Sequence, residues 1–428
     1  MFEAQNMLLA GVLGLVWSMA HPVPATAEAV EAAREGARRL RIEAYGDLRY
    51  SHFDYGPDQK SGDHGSPPDS RAIIDLPILA AEVEYRMDRG LTLEAEVEFE
   101  HGGTGSSLEL EYEEFGEFEM EVEKGGEIAV EALHLTRSFG EAANLRAGHF
   151  VTAVGLVNWS HEPTDFFTAA RAEAEVSVIP VTWDETGVEL FGRLRPVRYR
   201  LQLVNGLDSS GFSSKYWIVG GHQSRFEDVK ATDLALACRL DWDVQEGLTL
   251  GGSAYRGNTT GNRPQPDMNG VRGRVTLADV HAELERGPWR GRALYLRGTL
   301  ENADVISAKN SRLSSRLEVP RTPVAKGAYA WYAEFGRDIV PFFRADAGWK
   351  LYPFVHYGRY DTMAEVDSGV FPDPRFQRAI AIAGLNLIPA EGVVVKLEGS
   401  RREFGSGRLR GESTISLDVG FATDLFSH

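Results

Sequence analysis

Residues 41–53 read R-I-E-A-Y-G-D-L-R-Y-S-H-F, with Ile42, Ala44, Leu48 and Tyr50 apolar at even positions. The odd positions Arg41, Glu43, Asp47, Arg49 and Ser51 are polar. A period of two sends alternate side chains to opposite faces of a strand. The pattern returns about sixteen times, broken by short turns and by long polar excursions that themselves alternate. That rhythm predicts an all-β, antiparallel transmembrane barrel, each strand showing one face to lipid and the other to a wet interior.

The turns supply the count. Short turn signals stand at 88–90, 140–142, 195–196, 245–247, 287–288, 338–342 and 389–392. Neighbouring signals are about fifty residues apart, enough for two strands and one long loop. With both chain ends on the short-turn side, seven such turns give about sixteen strands. The long excursions at 54–71, 101–126, 151–182, 206–229, 257–270, 302–325, 361–375 and 404–411 carry the Gly, Pro, Asn, Asp and Ser clusters of loops. The last strand alternates Ile415, Leu417, Val419 and Phe421, and Phe426 falls out of phase with that apolar face.

Composition narrows the class. No run after residue 20 offers the roughly 20 consecutive apolar residues that a spanning helix needs. Residues 7–20 (MLLAGVLGLVWSMA), followed by Ala25-Thr26-Ala27, predict a cleaved secretory signal over 1–27, although residues 1–6 hold Glu3 and no basic residue. A short periplasmic segment would follow at 28–40, with the barrel over 41–428. Losing Glu3 takes the formal charge from −18 to −17. An acidic chain without basic stripes argues against nucleic acid. The single cysteine, Cys238, excludes an internal disulfide, a CxxCH haem site and a cysteine-rich zinc site. It alternates with Leu236 and Leu240, so it is expected to face lipid. No cofactor and no metal site is implied.

If the apolar phase faces outward, the other phase names the lumen. Glu82, Glu84, Glu94, Glu96 and Glu98 then form an acidic wall, and Arg193, Arg195, Arg198 and Arg200 a basic one. Unlike charges across a wet pore make a transverse field that favours polar solutes. The same pattern also fits walls that neutralise themselves against neighbouring strands, Arg239 and Arg297 included, and merely fill the interior. The excursion 101–126 reads as two strands continuing beyond the membrane and turning near Gly116, with glutamates from 109 to 123 on one face. A solvated face is the plain reading of that ladder, and a divalent-cation or lipopolysaccharide bridge the sharper one.

Residues 148–207 are the most distinctive. They hold Gly148, Gly155, Asn158, His161, Pro163 and Phe166, then Ile179-Pro180, Trp183, Glu185, Gly187 and Gly192, and finally Tyr199 and Val204-Asn205-Gly206. This block of about sixty residues resembles the phosphate-selective porin superfamily of Gram-negative outer membranes, in its broad sense of porin-like relatives. The resemblance implies a sixteen-stranded, homotrimeric pore in contact with outer-membrane lipid and lipopolysaccharide. It also implies that the third long loop folds into the channel and narrows it. Arg171, Glu173 and Glu175 are then the loop's candidate pore-facing charges, whereas His149, His161, Trp183 and Glu185 suit packing. Loop 151–182 holds one Arg and no Lys, so phosphate selectivity is not carried over with the family.

The function expected is passive diffusion of small polar or charged solutes, anions among them along the arginine wall. Two other classes fit less of the pattern. A barrel hydrolase would need pairs such as His161 with Asp165, or His52 with Asp54. A scaffold or receptor would hold a separate partner protein.

Overall fold

The computed structural model describes residues 39–57, 68–103, 107–114, 117–123, 127–223, 229–313, 321–344 and 348–427. The expected signal (1–27) and most of the segment 28–40 lie outside the described residues. The strands are β1 (Leu40–Pro57), β2 (Pro68–Met87), β3 (Leu91–Glu100), β4 (Ser107–Glu114), β5 (Glu117–Glu123) and β6 (Glu127–Ser138). Next come β7 (Asn144–Val151), β8 (Asp184–Leu194), β9 (Val197–Asn205), β10 (Leu234–Gln245), β11 (Leu248–Asn258) and β12 (Arg274–Arg286). The series ends with β13 (Trp289–Leu300), β14 (Gly327–Arg337), β15 (Lys350–Glu365), β16 (Gln377–Ala390), β17 (Val393–Phe404) and β18 (Glu412–Ser427). Two short helices, α1 (Glu173–Val176) and α2 (Ala303–Asn310), sit in long loops.

Sixteen of these strands close into one antiparallel barrel, each paired with its neighbours in chain order except that β3 pairs with β6, and β1 closes on β18. The remaining two, β4 and β5, form a separate hairpin, with Ser107 opposite Glu123. The acidic excursion is thus a sheet of its own and not an extension of the barrel strands that flank it. Closure leaves the barrel no open strand edge, so the backbone polar groups of the wall find partners on neighbouring strands, as a lipid-facing sheet requires. Among the described residues no helix is long and apolar enough to cross a membrane.

The alternation sets the faces as read. On β10, Leu236, Cys238, Leu240 and Trp242 point outward and are exposed, while Ala235, Ala237, Arg239 and Asp241 point inward and are buried. An Arg or Lys on the outward face costs about 2–4 kcal/mol at the bilayer midplane, which holds each strand in phase. Several register shifts interrupt the pattern. One lies between Ile42 and Glu43 on the β1–β18 seam, where Ile42 pairs with Phe426 and Glu43 with Asp424. The bulge skips Leu425, so Leu425 and Phe426 are both exposed. It restores to the outer face the aromatic residue that simple alternation puts out of phase.

One inward expectation reverses. Arg297 on β13 points outward with Tyr295 and Thr299 and pairs with Glu365 near the long-loop rim. Its inward neighbours Leu294, Leu296 and Leu300 are buried. The interior behind β9–β16 is therefore apolar toward the long-loop mouth, because long loops fold back into the barrel and cover it. Leu156, Val157, Ile179 and Trp183 come from loop 152–183, and Leu207, Phe212, Trp217 and Ile218 from 206–233. Met268, from 259–273, and Ile306 and Val324, from 301–326, complete one continuous core with Val275, Leu277, Leu296 and Tyr332 of the wall. Burying each such side chain contributes roughly 1.5–3 kcal/mol.

Candidate functional site

Loop 152–183 crosses the interior and is fastened to the wall at many points. Asn158 ties the beginning of the loop to its end, donating from Nδ2 to the Val154 carbonyl at 3.1 Å and accepting the Trp183 N–H at 2.9 Å. Gly155 has a left-handed backbone, φ +78°, which glycine adopts without a Cβ penalty. Its N–H donates to Asp279 at 3.1 Å and its carbonyl accepts Arg239 Nη1 at 2.5 Å. Glu175, at the middle of α1 and fully buried, accepts the N–H groups of Leu156 and Val157 on Oε1 at 2.8 and 2.9 Å. Its Oε2 meets the Tyr332 hydroxyl at 2.9 Å.

The second limb is held by charge. Lys396 donates to the Thr168 carbonyl at 2.8 Å, and Glu398 accepts the Ala169 N–H at 2.7 Å. Phe167 stacks on Phe354 with ring centroids 5.2 Å apart. Glu173 is gripped by Arg402 at 2.5 Å and Arg378 at 3.2 Å, and accepts the Tyr360 hydroxyl at 2.8 Å. Burial alone would push the Glu173 carboxyl up, but Arg402 and Arg378 hold it down at about 2. Burial pushes Glu175 up to about 7, against the donors that face it.

These contacts correct one expectation. Glu173 and Glu175 both belong to loop 152–183, yet Glu175 does not face a pore. Its carboxylate is turned into the apolar core to satisfy two backbone N–H groups that would otherwise be buried unpaired. Glu173 is spent on its arginine clamp. Arg171 alone of the three makes no hydrogen bond or ion pair among the described residues, and its Nη2 is buried without an acceptor.

The glutamates of the expected acidic wall face one another on neighbouring strands. Glu82 is paired with Glu96 and Glu84 with Glu94 across the β2–β3 seam, and Glu98 lies opposite Ala80. Like charges set directly opposite are unfavourable in a sheet unless something offsets them. Here Tyr45 donates to Glu96 at 2.6 Å, His134 lies 3.0 Å from Glu94, and Arg86 pairs with Glu84 at 2.6 Å. One oxygen of Glu98 is buried without a partner.

The four arginines are each matched by a carboxylate. Arg193 and Arg198 share Asp243, at 2.6 and 3.3 Å. Arg195 lies in the exposed turn between β8 and β9 and pairs with Glu141 at 2.8 Å. Arg200 pairs with Glu189 at 2.9 Å and lies 3.9 Å from the Trp159 ring centroid. The self-neutralising alternative describes this side of the barrel, with Arg239 a member of it.

Arg239 belongs to a buried cluster that the sequence reading did not assemble. It pairs with Asp241 at 2.9 Å; His281 meets Asp241 at 2.9 Å and Asp279 at 2.7 Å. Asp241 and His281 sit on β10 and β12, either side of Gly251 on β11, with which both are in register. A Cβ on Gly251 would lie 2.3 Å from His281 Nε2 and 2.5 Å from Asp241 Oδ1. The glycine opens the gap through which the two side chains meet across a whole strand. Inward charges of opposite sign flanking an inward glycine are the signal that names such a cluster.

The histidine pairs resolve otherwise than a hydrolase needs. His161 meets the Tyr45 hydroxyl at 3.1 Å and the Asn158 carbonyl at 3.4 Å, and Asp165 accepts the Glu162 N–H at 3.2 Å. Burial, then Arg171, pushes His161 down to about 4. His52 lies 3.4 Å from the Ser70 hydroxyl. Trp183 donates to Glu185 at 3.0 Å and is fully buried, a packing role as expected. Among the described residues no group of three His, Cys, Asp or Glu side chains is arranged to hold a metal ion.

An eccentric space remains between the second limb of loop 152–183 and the wall of β1, β2 and β16–β18. A cavity of about 190 Å³ lies there at the long-loop mouth, with Arg49, Asp75, Arg171, Glu398 and Arg402 in its lining.

This barrel, with its inward loop, has the fold of outer-membrane porins. The OmpF structure from Salmonella typhi is similar with a TM-score of 0.54 at 10% identity, over 90% of this chain and 98% of that one. The outer-membrane channel DcaP of Acinetobacter baumannii gives 0.51 at 11% identity, over 91% and 98%. An anion-selective porin from Comamonas acidovorans gives 0.50 at 9% identity, over 90% and 99%. In sequence, a protein of Aquifex aeolicus (strain VF5) described only as uncharacterised is 27% identical over 367 residues, 85% of this chain and 76% of that one. No family model matches the chain.

Proposed function

We propose that this chain is a porin of a Gram-negative outer membrane, a passive channel for small polar or charged solutes. The observation that carries the reading is the inward loop. A sixteen-stranded barrel is closed around a segment fastened to the wall by Glu173, Glu175, Lys396 and Glu398, with a charged space left beside it. Such a loop narrows a passage and places charges along it, which is how a wide barrel discriminates among solutes. The glycine, proline and aromatic positions of residues 148–207 support a place in the broad phosphate-selective porin-like superfamily. With that family go a secretory signal over 1–27, a homotrimer and contact with lipopolysaccharide. Solute passage is assigned to the side of the acidic wall, because the arginine wall is internally paired.

The test is single-channel conductance and reversal potential of refolded protein in planar bilayers across a salt gradient. Discrete open-channel steps are expected, and a folded barrel with zero conductance sinks the proposal. The apolar core built by the long loops favours a second reading, a plugged barrel serving as scaffold or receptor. A stoichiometric partner that co-purifies and occludes the mouth would distinguish it.

A further inference from the structure

The charged groups that line the mouth cavity are nearly all committed to one another. Arg402 holds Glu173 and Glu412, each at 2.5 Å. Arg49 pairs with Asp47 at 2.7 Å and Asp418 at 3.5 Å. Asp75 meets His101 at 2.8 Å, and Glu398 accepts the Ala169 N–H. Arg171 is the exception: it makes no hydrogen bond or ion pair among the described residues, its Nη2 is buried without an acceptor, and its charge acts only at a distance on Glu96 and Glu98 of the acidic wall. A buried, charged donor without an acceptor carries a standing desolvation cost that an incoming acceptor relieves. The acceptor that suits a guanidinium fork best is a planar carboxylate.

The rest of the lining sets the remainder of the ligand. Phe53, Ile73, Ile380 and Ile382 offer apolar surface beside Arg171. Asp75, Glu398 and Glu412 line it together with Arg49 and Arg402, a nearly balanced set of charges that favours a ligand carrying one negative charge over a more anionic one. The volume, about 190 Å³, is roughly ten times what one water requires. We propose that this cavity is a docking site for small monocarboxylates with an apolar body, the carboxylate on Arg171 and the body against Ile73, Ile380 and Ile382. Phosphate and dicarboxylates fit it less well on charge, and amines not at all at Arg171. The site deepens the channel reading and rests on it for its biological sense.

The probe is benzoate, titrated calorimetrically into the refolded full chain in detergent, with inorganic phosphate and benzylamine alongside. Benzoate is expected to bind at least tenfold more tightly than either. R171Q should weaken benzoate at least tenfold, and R171K should recover part of that loss, which a merely unfolded variant would not do. I380N, which leaves every arginine in place, should weaken benzoate as well. Absent benzoate binding, benzoate affinity unchanged in R171Q, or phosphate bound as tightly as benzoate would each overturn the proposal. Benzoate binding to a barrel that conducts nothing would instead retire the channel reading and leave the site standing. Open-channel conductance without benzoate binding would do the reverse.

Discussion

Gly155 has no side chain at the place where Glu175 puts its carboxylate: a Cβ there would lie 2.2 Å from Glu175 Oε1. The same carboxylate takes the two N–H groups that follow Gly155, so one acid closes the first limb of the loop onto α1. Any side chain at residue 155 is expected to expel it. Gly155→Ala adds strain at positive φ as well, and leaving the two N–H groups unpaired costs about 1–3 kcal/mol each. The barrel wall does not depend on these bonds. The variant should therefore keep its strand content by circular dichroism while its open-channel conductance rises and its current becomes noisier. Unchanged current would show that the loop is held without Glu175.

Acidity should act on the same bond. With its carboxyl raised to about 7, Glu175 binds a proton more tightly in the folded loop than in a released one. Loop anchoring is then strongest at low pH, weakens as pH rises above the ordinary carboxylate value, and levels off beyond about 7. Glu173 works in the opposite direction. Held at about 2, it contributes in full above the ordinary value and is lost only as pH falls toward 2. Current noise should rise between pH 5 and pH 8, and Glu175→Gln should flatten the profile across that span.

The strand count, the closure and the positions of all seven short turns are legible in the chain, because lipid and the pleat together impose a strict period of two. The same period sets Glu82 opposite Glu96 and Glu84 opposite Glu94. Alternation says which way a side chain points but not what lies opposite, so the pairing of Arg198 with Asp243 or Arg200 with Glu189 does not show. Nor does it report that Leu294 and Leu296, inward and apolar in a nominally wet barrel, await loops that fold back on them. Arg297 reads as inward when the strand is assumed to bury its charges, and the structure places it outside at the rim. Glu175 looks like a pore charge because the need for an acceptor at Leu156 and Val157 exists only once the loop has folded.

Selectivity should follow the unpaired charges. Neutralising Arg193, Arg195, Arg198 and Arg200 together removes groups already paired, and a paired surface charge contributes little field at a distance. The permeability ratio should change by less than about twofold. Glu96→Gln with Glu98→Gln should move the reversal potential toward anions, and Arg171→Gln toward cations. Both shifts should be larger at 0.1 M than at 1 M salt, where the screening length falls from about 10 to 3 Å. A large shift from the four arginines with none from Glu96 and Glu98 would relocate the passage to the other wall.

Two inward glycines are seats for loop aromatics, and they allow the loops to be displaced one at a time. A Cβ on Gly298 would lie 2.2 Å from the Trp217 ring, and one on Gly336 2.6 Å from the Phe167 ring. Trp217 is fully buried and donates to the Ala325 carbonyl at 2.9 Å, joining loop 206–233 to loop 301–326. Phe167 belongs instead to loop 152–183. Overpacking of a filled interior costs typically 1–3 kcal/mol. Gly298→Leu should therefore lift Trp217 and shift tryptophan emission to the red, with little change in conductance if the passage follows the acidic wall. Gly336→Leu should leave emission nearly unaltered and raise conductance, because it unseats the crossing loop. The strain at each site should be relieved by truncating its own aromatic, so Gly298→Leu with Trp217→Ala should be more stable than the two single costs added together. Additive losses would mean that the aromatic rings are not seated on these glycines.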